Sequence, residues 1–364
     1  MRRRPRTVAG SAPRLPGMAR VGGVSTNSGQ SNRARHQTII RSPEGGRSLL
    51  KASVCIPSYN RREMLLATLR SLDEQTAPAD SYEVVVADDG STDGTVQALE
   101  AYRPRYRLRW HRQANAGPAA ATNTAARMAE NEVLVFLDAD QICTPELIAV
   151  HLGVHEREGD VFVQGLYPLA AGYRSRGASL LYERSLFVAL APIDRPHPAS
   201  PYMWSAQVSV RRSTWERVGG FDSAFREYGG EDTDFGLRVA ALGVRFLFEP
   251  RALSYHLHEI SYRSLRNQAF NEGRSIIRLS EKFGIPVETL FGGSVGGGFD
   301  RVLVGGWTRV PGVMDVLGRA LTSGVIAADA IRIAPAQLLT ARIVHRLYKL
   351  GGLVAAGYQA NGAG

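Results

Sequence analysis

Asp138 and Asp140 follow the apolar run VLVFL (133–137), so a buried strand ends where two carboxylates emerge into a loop. Hard divalent cations take oxygen ligands and complete their shell with substrate phosphates. The pair therefore suits Mn2+ or Mg2+ on a diphosphate, although an Asp-x-Asp after a strand is also an ordinary solvated turn. A second group, Tyr228 to Asp234 (YGGEDTD), sets Gly229 and Gly230 ahead of Glu231 and Asp232 at the start of a helical pattern. Two glycines let a backbone approach a ligand closely. A carboxylate within reach of a hydroxyl can take its proton as that oxygen attacks, and Asp232 is the candidate base. Helix capping would explain one acid here, but not Gly-Gly followed by Glu and two Asp. His256, at the end of an apparent strand over 251–255, offers an imidazole to the cation opened by Asp140. His258 could exchange roles with it, and a lone histidine is also commonly structural. In the third group, Asp88 to Gly94 (DDGSTDG), Asp89 could accept a hydrogen bond from the imide N–H of uracil, whereas Asp93 reads as a turn and helix cap.

Short β-rich runs alternating with helical stretches from Lys51 onward predict a βαβ layout and a mainly parallel sheet. Strands are expected over 52–56, 82–87, 107–110 and 132–137. Asn60 followed by Glu63 reads as a capping box for a helix with Leu65, Leu69 and Leu72 on one face. Thr144-Pro145-Glu146 reads as the N-cap and first turn of another helix. In open α/β sheets ligands bind beyond the carboxyl ends of the strands. Three successive strand ends are polar here: Pro57 to Asn60, Asp88 to Ser91, and Asp138 to Asp140.

Taken in order, VCIPSYNR (54–61), VVVADDGSTDGT (84–95), NAGPAAATN (115–123), VLVFLDAD (133–140), VGGFD (218–222), YGGEDTDFGLR (228–238) and YHLH (255–258) resemble the family 2 inverting nucleotide-sugar glycosyltransferases of GT-A fold. The resemblance spans roughly 52–283. It implies a three-layer α/β/α domain over 50–290 that takes a nucleotide-sugar donor, with UDP-sugar expected, and transfers to a carbohydrate, lipid-linked or small-molecule acceptor. Pro57, Tyr59, Asn60 and Asp89 would line the nucleoside pocket, and Asn115, Gly117 and Asp138 would complete the donor site. Asp140 and His256, with Asp138, would hold a divalent metal. Gly230 and Glu231 would meet the acceptor, Asp232 would be the base, and Trp204 would stack on a sugar face or belong to the core. Two positions depart from the pattern. Thr122 precedes Asn123 where the family often has arginine, and Gln207 stands where it often has asparagine. Rival readings are a sugar-phosphate nucleotidyltransferase, whose glycine-rich phosphate loop is missing from PSYNRRE, and a non-catalytic carbohydrate-binding relative.

The 364-residue chain carries a formal +10, but residues 1–50 hold ten arginines against the single acid Glu44. The rest is close to neutral, so no nucleic-acid groove is indicated. Residues 1–49 are expected to be a disordered basic leader. No apolar run is long enough to span a bilayer. Cys55 and Cys143 are expected to be reduced, consistent with a cytoplasmic protein. Residues 291–364 read as a glycine-rich linker and a helical appendage, broken at Pro335. There Leu339, Ile343, Leu347 and Leu350 share one helical face, and Arg342, Arg346 and Lys349 another. That helix either lies on an anionic membrane surface or packs against protein.

Overall fold

The computed structural model describes residues 50–173, 176–190, 206–226, 229–257, 260–292, 295 and 297–359. The basic leader and Trp204 lie outside the described residues, as does His258. Strands β1 (Ala52–Ser58), β2 (Tyr82–Asp88), β3 (Arg107–Arg112) and β4 (Val133–Leu137) are joined by helices α1 (Arg62–Asp73), α2 (Thr95–Ala101) and α3 (Pro118–Met128). The eight-stranded sheet is completed by β5 (Gln141–Cys143), β6 (Val161–Leu166), β7 (Gln207–Arg211) and β8 (Arg245–His256), in the order β3-β2-β1-β4-β7-β6-β8-β5. β1 to β4 are mutually parallel, as expected, but β7 runs antiparallel to both β4 and β6, and β5 antiparallel to β8. The sheet is therefore mixed beyond β4.

Strands buried on both faces read as continuous apolar runs because both neighbouring layers must be wetted by hydrocarbon. Cys55, Val85, Leu134 and Phe136 pack under α3, α6 (Arg212–Val218) and α7 (Glu231–Ala241). Their alternates Val54, Ile56, Val84 and Val135 pack under α1 and α4 (Leu147–Glu158). Cys55 and Cys143 are buried free thiols, and burial pushes Cys143 up to about 12.

The capping box at Asn60 does not form. Asn60 adopts a left-handed conformation (φ 51°), which asparagine tolerates, and its Oδ1 accepts from the Thr92 N–H at 2.8 Å. The start of α1 is capped instead from the neighbouring loop, by Asp93 Oδ2 accepting from the Arg62 N–H at 2.9 Å. The helix after Thr144 begins two residues later than its cap signal suggests, at Leu147, because Thr144 is held to Leu253 by its N–H and its hydroxyl.

Beyond α5 (Gly177–Leu190) and β8, the chain is helical: α8 (Tyr262–Phe283), α9 (Val287–Phe291), α10 (Gly298–Arg309), α11 (Pro311–Ile331) and α12 (Ala334–Ala355). The expected break at Pro335 falls at Arg332–Ile333, and Pro335 sits in the first turn of α12, where its missing N–H costs nothing. Helices α8 and α12 cross on glycine. A Cβ on Gly273 would collide with the Lys349 carbonyl, and one on Gly352 with the Phe270 carbonyl. The apolar face predicted for α12 is split, with Leu347 and Leu350 buried and Leu339 and Ile343 exposed. Of its cations, Arg346 reaches Asp300 and Lys349 reaches Glu272 at 2.6 Å, while Arg342 is exposed. Gly352→Ala is expected to destabilise the chain by roughly 1–3 kcal/mol through overpacking, read as a lower midpoint in urea unfolding.

Candidate active site

Parallel pairing of β2, β1 and β4 brings their carboxyl ends to one edge, so the loops after them share a crevice. Asp89 is buried there, and its carboxylate accepts from Gln113 Nε2 (2.7 Å) and from the N–H groups of Ala116 (2.9 Å) and Gly117 (3.0 Å). The Asn115 side chain donates to the Asp89 carbonyl at 3.1 Å. Of about four acceptor positions on a carboxylate, three organise the loop 113–117 and one is left. Gly117 has φ 94°, and a Cβ there would meet the Arg226 carbonyl. Asp88 Oδ1 and Ser58 Oγ, paired across β1 and β2, are buried at the same edge without protein partners. Half-exposed Tyr59 lines a pocket over the start of α1 with Arg61, Arg62 and Asp93. Pro57 lies one residue inside the end of β1.

The short antiparallel pairing of β5 with β8 sets Gln141 opposite His256, and this register carries Asp140 to the histidine. His256 Nε2 lies 2.9 Å from Asp140 Oδ1, and its Nδ1 lies 3.3 Å from the Tyr182 hydroxyl. Arg61 forms an ion pair with the other oxygen of Asp140. Ligand atoms of Asp138, Asp140 and His256 all lie within 4.8 Å of one another. Burial, then the adjacent Asp140 charge, raises the Asp138 carboxyl to about 7, with Asp232 adding to the rise and His256 opposing it. Two crowded carboxylates, of which Asp138 resists ionisation, beside an imidazole whose other nitrogen is engaged by Tyr182, are a donor set of oxygen, oxygen and nitrogen that fits a divalent cation.

Glu231 and Asp232 open α7, with Gly229 (φ 105°) and Gly230 (φ 99°) leading in. Buried Glu231 accepts from the Gly229 N–H at 2.9 Å. Burial and the neighbouring Asp232 raise Glu231 well above the ordinary carboxylate range. The loop is held from behind by α8, where Ser275 Oγ donates to the Gly229 carbonyl at 2.6 Å and a Cβ on Gly230 would strike Ser275. One helical turn further, buried Asp234 is closed on by Arg238 and Lys282. Asn123 ties this side to α3, since its Oδ1 accepts from the Phe221 N–H at 2.8 Å and its Nδ2 donates to the Phe221 carbonyl at 2.7 Å. Asn123→Ala strands both Phe221 groups and should cost roughly 2–4 kcal/mol, measured by denaturant titration.

Asp138, Asp140 and His256 therefore come together as expected, and Glu231 and Asp232 are near enough to act on Asp138. Asp89 is turned chiefly to its own loop. Arg61, Asp88 and Ser275 carry no role in the sequence reading. An arginine directly after a strand-end motif was the sole signal for the first. Thr122 donates to the Pro118 carbonyl at 2.9 Å, and Gln207 is buried with its amide donating to the Ala252 carbonyl at 2.9 Å.

A three-layer sheet that gathers two aspartates, a histidine and a Glu-Asp pair beyond its strand ends defines a GT-A type α/β domain. Residues 53–204 match glycosyl transferase family 2, and residues 184–259 match the N-terminal domain of galactosyltransferase. Residues 53–204 thus carry a family 2 glycosyltransferase domain. The chain is 33% identical over 218 residues to validoxylamine A glucosyltransferase of Streptomyces hygroscopicus subsp. jinggangensis, covering 53% of this chain and 52% of that protein. To the uncharacterized glycosyltransferase YfnE of Bacillus subtilis it is 40% identical over 119 residues, covering 32% and 30%. The chain thus spans about half the length of the first of these relatives. Among solved structures, the mannosyltransferase PcManGT from Pyrobaculum calidifontis, in complex with GDP-Man and Mn2+, shares the fold with a TM-score of 0.55 and 19% identity over 84% of this chain and 87% of that one.

Proposed function

We propose that this chain transfers a sugar from a nucleotide diphosphate sugar, UDP-sugar in the first instance, to an acceptor hydroxyl with inversion at the anomeric carbon. The observation that carries the reading is the Asp138, Asp140 and His256 cluster beside Glu231 and Asp232 at the carboxyl edge of the sheet. A divalent cation held by Asp138, Asp140 and His256 would supply Lewis-acid stabilisation to the departing diphosphate. The chain's own residues do the remainder. The crevice formed by Pro57, Tyr59, Asn60 and the loop 113–117 seats the nucleoside, with the remaining acceptor position of Asp89 suited to an imide N–H. Glu231, kept protonated by burial, holds an acceptor hydroxyl, and Gly230 leaves room for the sugar. Asp232 takes the acceptor proton as the new C–O bond forms and the bond to phosphate breaks. The Mn2+-bound relative fold and the glucosyltransferase relative support the same assignment.

A thermal-shift panel of nucleotide sugars with and without Mn2+ tests it, because a ligand that binds only the folded state raises the melting temperature by mass action. A metal-dependent shift with one nucleotide sugar, together with nucleoside diphosphate release when acceptor is added, is expected. Pyrophosphate release from a nucleoside triphosphate and sugar phosphate would overturn the reading in favour of nucleotidyl transfer.

A further inference from the structure

We propose that the outer face of α11 is a docking surface for an anionic lipid interface. Its inner face is fixed by Met314, Gly318, Thr322, Val325 and Ala328, which are buried. At 100° per residue, Val313, Val316, Leu317, Ala320, Ala327 and Ile331 fall on a different stripe about 100° wide, and all six are exposed. Val316 is 68% exposed and Val313 63%. Among the described residues, Phe299 and Val302 of α10 and Leu339 of α12 are also exposed.

Charge identifies the occupant. No charged residue lies within the stripe, and exposed Arg309 and Arg332 stand at its two ends. The acids of α11 are engaged elsewhere. Asp315 pairs with Arg319 at 2.7 Å on the flank, and Asp329 accepts from the Gly177 N–H (2.8 Å) and Gln337 Nε2 (2.9 Å). A second copy packed on this face, in either direction, would bring arginine ends against arginine ends, which like-charge repulsion disfavours. A plane of anionic headgroups over hydrocarbon satisfies both the apolar stripe and its cationic ends. No helix among the described residues is long and apolar enough to cross a membrane, so the contact is peripheral. The inference is independent of the sugar-transfer reading.

The test is co-sedimentation of the full chain with phosphatidylglycerol-containing vesicles and with pure phosphatidylcholine vesicles, at low and at about 0.5 M salt, where exposed charges are screened. Wild-type protein should pellet with the anionic vesicles and retain part of that binding in high salt. The double variant Val316→Glu/Leu317→Glu should lose roughly tenfold or more in partitioning, although it keeps the ten leader arginines. Val316→Trp, which leaves the face apolar, should show a blue shift in emission when anionic vesicles are added. Equal pelleting of wild type and the Glu variant, no pelleting of either, or no shift from Val316→Trp would each sink the proposal. So would a Glu variant that converts a vesicle-free dimer to a monomer.

Discussion

Asp232→Asn is expected to abolish transfer, lowering kcat by a factor on the order of 10² to 10⁴, while the melting-temperature shift produced by donor and Mn2+ persists. Asparagine keeps the size of the side chain but cannot accept the acceptor's proton. The change should therefore appear in kcat with little effect on donor KM, the pattern of a contact made chiefly in the transition state. The neighbouring acid provides the contrast. Glu231 is buried, and burial together with the neighbouring Asp232 raises it well above the usual carboxylate range, which suits it to hold a hydroxyl more than to take its proton. Glu231→Gln preserves a neutral side chain and should act mainly on acceptor KM. Turnover of Asp232→Asn at the wild-type rate would move the base elsewhere in the cleft.

The parallel half of the sheet was legible because its strands are wetted on both faces. VLVFL can be little other than buried, and its end delivers Asp138 to a loop. The pairing of Asp140 with His256 was legible as ligand chemistry, with His258 left as an alternative, but not as geometry. It depends on a three-residue strand, β5, that has no periodicity of its own and is ordered by the edge of β8. The capping box at Asn60 failed for a related reason: a local pattern was overridden by a neighbouring loop, whose Asp93 reaches the helix start while Asn60 turns to Thr92. In α12, amphipathicity correctly marked a helix but could not say which stripe was solvated. The crossing of Gly352 and Gly273 buries the half of its apolar face that carries Leu347 and Leu350. That crossing also bears on the site, since α8 is the helix whose Ser275 holds the Gly229 carbonyl. The appendage thus braces the loop that carries the proposed base.

Asp140→Ala should remove the metal-dependent part of donor binding, weakening affinity in the presence of Mn2+ by at least about 100-fold, beyond what outer-shell changes cost. Calorimetry with and without Mn2+ measures the difference, and unaltered Mn2+-dependent binding would remove Asp140 from the cation site. The same substitution has a signature in pH. In the metal-free protein Asp138 is raised from 3.8 to about 7, first by burial and next by Asp140. The folded state therefore binds a proton that the unfolded chain releases, and stability should be greatest below about pH 4 from this group and decline as pH rises towards 7. Asp140→Ala deletes the neighbouring charge, so its decline should be shallower over that window in a chemical-denaturation series. Mn2+ competes with the proton for Asp138, so adding it to wild-type protein should offset the decline near pH 7. It should do so far less in Asp140→Ala, where one of the two carboxylates is gone.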